Sequence, residues 1–361
     1  MKKICTVVGA RPQFVKLAMV SRVLRQYFHE VLIHTGQHYD HNMSEVFFEE
    51  MGIPKPDYNL GISGGTHAQM TGQMMIALEE VFMKEKPDML VIFGDTNSTL
   101  AAALAAVKLH IPVCHVESGT RLGTLDNPEE VNRIIVDHIA SINLPCTDSS
   151  TVFLEREGLM HNSTVVGDPM FDAFCFHSSN LDGSELEDIV DFDGNKVTVP
   201  DEFYYMTCHR QENTDTDEKL DNIFAAMESL DAPTVYPVHP RNHNRAQRLV
   251  KENGYHNIIL AQPVGYRTSI SLVKHSKKVV TDSGGLQREA FFAGKPCVTV
   301  LDFVCWPETM VGNCNQLARP DKQDILNKLN VPVVFDENYQ PFGDGHSSEK
   351  IVDVIRKFLN S

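Results

Sequence analysis

No stretch of this chain is apolar for long enough to cross a bilayer, so no membrane partner is expected. The opening Met1-Lys2-Lys3 and the apolar Ile4 to Val8 resemble the start of a signal peptide. The run is too short, and it leads straight into Gly9-Ala10-Arg11-Pro12, so it reads as a first buried strand. Paired C-x-x-C spacing is missing. The eight cysteines are scattered, and Cys5, Cys114, Cys208 and Cys297 sit in or beside apolar strand-like runs, as buried thiols of a cytoplasmic protein would. Cations are in short supply: 32 Lys and Arg face 48 Asp and Glu, a formal charge of −16. That balance argues against a nucleic-acid partner, which needs a basic face. It also means that a site for an anionic ligand must gather its own cations. The dinucleotide fingerprint G-x-G-x-x-G is absent, which removes the sequence case for a nicotinamide cofactor. No internal repeat is visible. The single tryptophan, Trp306, fits either a core or the wall of a ligand pocket.

What is present is an α/β pattern. The 361 residues, 42% hydrophobic and 22% charged, suffice for two domains with separate cores. Strand-length apolar runs at 3–8, 30–35, 88–93, 112–116 and 142–146 alternate with helical periodicity at 12–27, 66–85, 96–109 and 129–141. The acidic, polar stretch 178–202 reads as a surface excursion near a domain boundary. A second series follows, with strands expected at 203–208, 234–238, 257–260, 278–281 and 297–300 and an amphipathic last helix at 348–360. Two doubly wound domains facing a cleft are the expected architecture.

In such sheets the ligand crevice lies at the carboxyl edge of the strands. Gly94-Asp95-Thr96-Asn97-Ser98-Thr99, His115-Val116-Glu117 and Pro128-Glu129-Glu130 put three acids, Asp95, Glu117 and Glu129, at that edge. Converging carboxylates serve either a metal or proton transfer. No ligands with metal spacing stand beside them, so proton transfer leads. Asp95 also fits a plain helix N-cap. His34, His38 and His41 look superficially like a metal cluster, but Gly36-Gln37 interrupts them and no acid or thiol completes a shell.

The cations lie at the same edges. Arg11 and Lys16 follow the first strand at a turn into a helix with Pro12 near its start, a place suited to phosphate. His209-Arg210 and His239-Pro240-Arg241 follow two strands of the second series, where a phosphate leaving group would want positive charge. Thr281-Asp282-Ser283-Gly284-Gly285 runs from a strand into a glycine-rich helix start. Gly284 and Gly285 would let backbone N–H groups approach a diphosphate, Ser283 adds a hydroxyl, and Glu289 lies one turn on, where a carboxylate can hold ribose hydroxyls. The alternative is a glycine turn capped by Asp282 or Ser283.

In this order the motifs resemble the non-hydrolysing UDP-N-acetylglucosamine 2-epimerase family. The matching pieces are Gly9-Ala10-Arg11-Pro12-Gln13 with Lys16, Thr35-Gly36-Gln37-His38, Gly94 to Ser98, His115 to Glu117, Pro128 to Arg133, His209-Arg210, Val238-His239-Pro240 and Thr281 to Gly285. The segments 42–58 and 64–67 look most like a subgroup that includes epimerases of UDP-2,3-diacetamido-2,3-dideoxyglucuronic acid. The resemblance implies a pair of Rossmann-like domains of the GT-B type: residues 1–170 with the helix 348–361, carrying the acid/base groups, and 171–347, binding UDP. It implies a cytoplasmic homodimer, a UDP-sugar substrate, no cofactor and no metal. It implies elimination of UDP to a glycal followed by re-addition. Asp95, Glu117, Glu129 and His209 would be catalytic. Arg11, Lys16, Arg210, His239, Ser283, Gly284, Gly285 and Glu289 would bind substrate.

Bacterial members can take a second UDP-sugar as an activator, and Gln37, His38, Arg210 and His239 are compatible with that. Two motifs depart from the family pattern. Glu117-Ser118-Gly119-Thr120-Arg121 stands where Glu-Ala-Gly-Leu-Arg is usual, and Leu301-Asp302-Phe303-Val304-Cys305-Trp306 stands where Arg-Asp-x-Thr-Glu followed by Arg or Trp is usual, so that motif's arginine, threonine and glutamate are missing. The sugar preference is therefore open, and a hydrolysing relative or a GT-B glycosyltransferase remain the competing readings.

Overall fold

A computed structural model describes residues 1–37 and 48–361. The chain divides into two compact units, Met1–Cys175 with Gln340–Ser361, and Phe176–Tyr339. Each is built on a six-stranded, all-parallel sheet.

The first sheet has the order β3-β2-β1-β4-β5-β6. Its strands are β1 (Lys3–Val8), β2 (His29–His34), β3 (Tyr58–Asn59), β4 (Met89–Phe93), β5 (Val113–Val116) and β6 (Ile142–Leu144). The central strands are apolar on both faces because helices cover both sides of a parallel sheet. In chain order the helices are α1 (Arg11–Leu24), α2 (His67–Glu85), α3 (Asn97–Lys108), α4 (Pro128–Ile139), α5 (Asp148–Arg156) and α6 (Pro169–Ser178). Helix α2 starts at a capping box. Thr66 accepts from Gln69 N, and Gln69 accepts from Thr66 N. The alanines of α3 are fully or nearly fully buried, and their small side chains let the helix lie close to β4 and α2.

The second sheet has the order β12-β11-β10-β7-β8-β9. Its strands are β7 (Tyr204–Thr207), β8 (Thr234–Pro237), β9 (Ile258–Ala261), β10 (Val279–Thr281), β11 (Cys297–Val300) and β12 (Asn315–Ala318). The longer helices of this unit are α7 (Asp217–Glu228), α8 (His243–Asn253), α9 (Tyr266–His275), α10 (Gly284–Phe292) and α11 (Lys322–Leu329). Successive strand residues point to opposite faces. Met206, Tyr236, Val280 and Val298 therefore enter one apolar layer, and Tyr205, Val235, Val279 and Cys297 the other.

Both sheets wind outward from a central pair, β1 and β4 in one and β7 and β10 in the other, the switch point beyond which such folds place their ligands. The last helix, α12 (Ser347–Asn360), belongs to the first unit. Its first turn is capped by Asp172 of α6, which accepts from Ser347 N at 3.0 Å, Ser348 N at 2.7 Å and the Ser348 hydroxyl at 2.7 Å.

The stretch 178–202 is not merely a surface excursion. Ile189 is buried in the second unit's core with Leu186, Val197 and Val199 against it, so the acidic turns alternate with apolar anchors. β3 and β12 escape a pattern search. β3 is only two residues long, and β12 reads Asn-Gln-Leu-Ala, too polar to stand out. Cys5, Cys114, Cys208 and Cys297 are buried free thiols; burial pushes the Cys5 thiol up to about 12. Among the described residues no helix is long and apolar enough to cross a membrane.

Candidate active site

In the first unit, the carboxyl ends of β1, β4 and β5 meet around Gly9, Gly94 and Glu117. Gly9 is required by a close approach. A Cβ there would lie 2.1 Å from Ser98 Oγ and 2.2 Å from Thr35 Oγ1, two hydroxyls that bond each other at 2.7 Å. Gln13, buried in the first turns of α1, accepts from Gly9 N at 2.8 Å and Ala10 N at 3.0 Å. It donates to Phe93 O at 2.8 Å, tying the first βα turn to the end of β4. Arg11 is exposed at the start of α1.

Asp95 is not an N-cap; Thr96 takes that position, its hydroxyl accepting from Thr99 N. Asp95 instead forms an ion pair with Arg133 of α4, and Asn132 Nδ2 donates to the Asp95 carbonyl at 2.8 Å. Arg133 is nearly buried and also meets Glu130 at 3.1 Å. Burial works against the charged Arg133, but Asp95, Glu130 and Glu129 outweigh it and hold its pKa above the ordinary value.

Glu117 sits at φ +67°, a left-handed conformation rare for a residue with a side chain. Its carboxylate meets Lys16 Nζ at 2.5 Å, and Lys16 is only 2% exposed. The sequence suggested a phosphate contact for Lys16; in the structure its ammonium faces the Glu117 carboxylate. A Cβ on Gly94 would lie 3.5 Å from Glu117 Oε1 and 3.8 Å from Lys16 Nζ, so the residue before Asp95 abuts this pair. Glu129 is exposed in the first turn of α4, and its backbone N–H donates to the Asn127 side chain at 2.8 Å. The structure thus brings Asp95 and Glu117 to one edge, each beside a buried cation, with Glu129 on the helix that supplies Arg133.

Below them runs a buried polar chain. His115 Nδ1 lies 2.7 Å from Asp137 Oδ1, and His115 Nε2 lies 2.6 Å from the Gly94 carbonyl. Asp137 Oδ2 accepts from Gly119 N at 3.0 Å and from Arg121 Nη1 at 2.6 Å. Glu157 grips the other side of Arg121 at 2.6 and 2.8 Å.

One trio of metal-capable side chains converges here among the described residues: Glu117, Cys146 and Asp168, their donor atoms within 4.8 Å of one another. The Lys16 ammonium already neutralises Glu117, so the donor set does not suit a divalent ion without displacing that lysine. His34 is buried beside Phe14 and Phe48; His38 and His41 lie outside the described residues.

In the second unit, the switch point is organised by Asp282, which is fully buried. Its carboxylate accepts from His209 N at 2.9 Å, Arg210 N at 2.8 Å and Asn213 Nδ2 at 3.3 Å, and lies 3.1 Å from His209 Nδ1. Arg210 Nε donates to the Asp282 carbonyl at 2.9 Å. The His209 side chain is 41% exposed, leaving its far ring edge accessible, and the His239 ring stacks at 6.3 Å.

Ser283 is the N-cap of α10; its hydroxyl oxygen accepts from Leu286 N at 3.3 Å, which leaves the hydroxyl hydrogen to donate elsewhere. Gly284 and Gly285 form the half-buried first turn, and Glu289 is buried one turn further. A Cβ on Gly284 would lie 3.6 Å from Trp306 Nε1 and 3.7 Å from Cys305 Sγ, so the loop 301–308 packs on this helix start. Trp306 is buried and carries the Arg288 guanidinium 4.0 Å from its ring centre, while Arg210 lies 5.4 Å from the Phe303 ring.

A family model described as UDP-N-acetylglucosamine 2-epimerase matches residues 22–356. A UDP-N-acetylglucosamine 2-epimerase homolog of Methanococcus maripaludis is 42% identical, with 98% of this chain and 99% of that protein aligned. The UDP-2,3-diacetamido-2,3-dideoxy-D-glucuronate 2-epimerase of Pseudomonas aeruginosa is 40% identical at the same coverage of each. The crystal structure of the Methanocaldococcus jannaschii UDP-GlcNAc 2-epimerase, in complex with UDP-GlcNAc and UDP, superposes with a TM-score of 0.87 at 36% identity. It covers 98% of this chain and 99% of that one.

Proposed function

The chain belongs to the UDP-N-acetylglucosamine 2-epimerase family, and from that premise we propose that it inverts C2 of a UDP-2-acetamido sugar by eliminating and re-adding UDP. It is an isomerase, a UDP-sugar 2-epimerase. The C2 hydrogen of a pyranose is not next to a carbonyl, so simple deprotonation is too slow. If a carboxylate removes that proton while the C1–O bond breaks, the C–H electron pair becomes the C1=C2 bond of a glycal. The C–O pair leaves with UDP. A second acid then delivers a proton to the other face of C2 as the UDP oxygen re-adds at C1.

The observation that carries this reading is the pairing of Asp95 with Arg133 and of Glu117 with Lys16 at one strand edge. A buried cation against each carboxylate fixes its position at the strand edge, and proton transfer depends on such placement within hydrogen-bond reach. Glu129 is the third acid of the set. In the second unit, His209, Arg210, His239, Ser283 and the first-turn amides of α10 are suited to a departing diphosphate, and Glu289 to the ribose. Arg11 adds a cation at the start of α1. The reaction calls for no redox cofactor and no metal.

UDP-N-acetylglucosamine is the default substrate. A sugar modified at C3 or C6, such as the diacetamido-uronate, is the second reading, supported by the Pseudomonas relative. Incubation with each UDP-sugar in heavy water, followed by proton NMR, tests the proposal. The expected product is the C2 epimer with deuterium at C2. An unlabelled epimer would overturn elimination. Free sugar plus UDP would indicate hydrolysis instead, and inertness without an acceptor would indicate a transferase.

A further inference from the structure

We propose that the buried His115–Asp137 pair is a positioning clamp that holds the backbone of Asp95 and Glu117 in register for proton transfer. The proposal rests on the acid/base reading of those two residues. His115 and Asp137 are both fully buried. The Gly94 carbonyl can only accept, and the Asp137 carboxylate, already taking two other donors, also accepts. Both ring nitrogens of His115 therefore carry hydrogens, and the ring is a cation between two acceptors.

Each end of the clamp grips a functional turn. Nε2 holds the carbonyl of Gly94, the residue before Asp95. Nδ1 holds Asp137, whose other oxygen holds Gly119 N, so His115 and Gly119 pin the chain on either side of Glu117. Between them Glu117 keeps a left-handed φ of +67°, which persists only when its surroundings over-determine it. Asp137 is also on α4, the helix that carries Glu129 and the Arg133 that pairs with Asp95. Arg121 adds a second cation beside Asp137, and Glu157 balances it and fixes it in place. A buried ionic chain of this kind adds little stability over apolar side chains of similar volume, so its worth lies in the geometry it fixes.

Asparagine and glutamine separate the two ends. His115→Asn places an amide where Nδ1 was, keeping Asp137 and releasing Gly94. His115→Gln places one where Nε2 was, keeping Gly94 and releasing Asp137. Each should lower kcat by about 100-fold, the scale of a 1 Å misplacement of a reacting group. KM and the affinity for UDP should stay within about twofold, because a lost transition-state alignment lowers kcat alone.

Folded variants with near-normal kcat, or a rise in KM alone, would overturn the clamp, provided Asp95→Asn and Glu117→Gln are inactive. If those two acid variants are active, the acid/base reading falls first and takes the clamp with it. A further measurement needs no variant: ¹⁵N NMR of wild-type protein labelled at histidine should show both His115 ring nitrogens protonated at neutral pH. A bare nitrogen at either position overturns the proposal even if the variants fail to fold.

Discussion

Asp95 and Glu117 differ from the many surface acids of this chain in having a cation pressed against each carboxylate inside the fold. Replacing either with its amide, Asp95→Asn or Glu117→Gln, should cost about 100-fold or more in turnover, the range for general acid/base groups. Glu129→Gln should do the same. Steady-state rates with UDP-N-acetylglucosamine check all three; near-normal rates throughout would make the acids structural. Asp137 gives a different signature. Burial alone would raise its carboxyl from the ordinary 3.8, but the bonds and charges of His115 and Arg121 outweigh burial and hold it lower. A carboxyl depressed by folding contributes stability that is complete above its unfolded value and disappears as pH falls through the folded one. Asp137→Asn should therefore lose about 3 kcal/mol at neutral pH, the cost of breaking a buried pair. That deficit should shrink below about pH 4. Urea titrations of both proteins at neutral and acid pH measure the gap, and a gap constant with pH would contradict the linkage.

At the scale of strands, turns and helices, each candidate residue is held by a partner from a different segment. Asp282 shows this best: it follows β10, yet it fixes the turn after β7 through four contacts to His209, Arg210 and Asn213. Asp282→Asn turns one acceptor oxygen into a donor that faces other donors. It should lower kcat and weaken UDP binding together, measured by kinetics and calorimetry. Unchanged UDP affinity would separate this turn from the nucleotide. Strand ends, glycine turns and the acids themselves are legible in the sequence because apolar runs, punctuation and motif spacing are local properties. The partners are not. Gln13, Arg133, Asp137 and Asp282 lie inside or beside quoted motifs, but which oxygen or amide each one meets is decided by packing between distant segments. Lys16 is the clearest case. Its position after β1 suggested a phosphate, and only the fold shows Glu117 beside it. The apolar anchors in 178–202 were hidden for the opposite reason, being single residues among acidic turns.

For the molecule as a whole, the second unit should bind UDP and be stabilised by it against heat. A ligand at 100 times its dissociation constant adds about 2.7 kcal/mol. Glu289→Ala should reduce that shift, and an equal shift in the variant would move the uridine elsewhere. Which sugar is attached is a separate question, and the loop from Leu301 to Glu308 bears on it. This loop lacks an arginine, a threonine and a glutamate that the family usually carries, and in the structure it packs on the first turn of α10, with Cys305 and Trp306 beside Gly284. If the first-turn amides of α10 hold the diphosphate, as proposed, this loop lies beside it. The enzyme is therefore expected to discriminate among UDP-sugars that differ at C3 or C6. A rival turned over at least about tenfold better than UDP-N-acetylglucosamine, a difference of about 1.4 kcal/mol in barrier, would establish the modified-sugar reading. The double substitution Val304→Thr with Cys305→Glu restores two of the missing polar groups and should move the ratio of kcat/KM values toward UDP-N-acetylglucosamine. The shift should come without loss of the UDP-induced rise in Tm, since the amides of α10 are untouched. If the ratio stays where it was in a variant that still binds UDP, sugar choice is made by residues outside this loop.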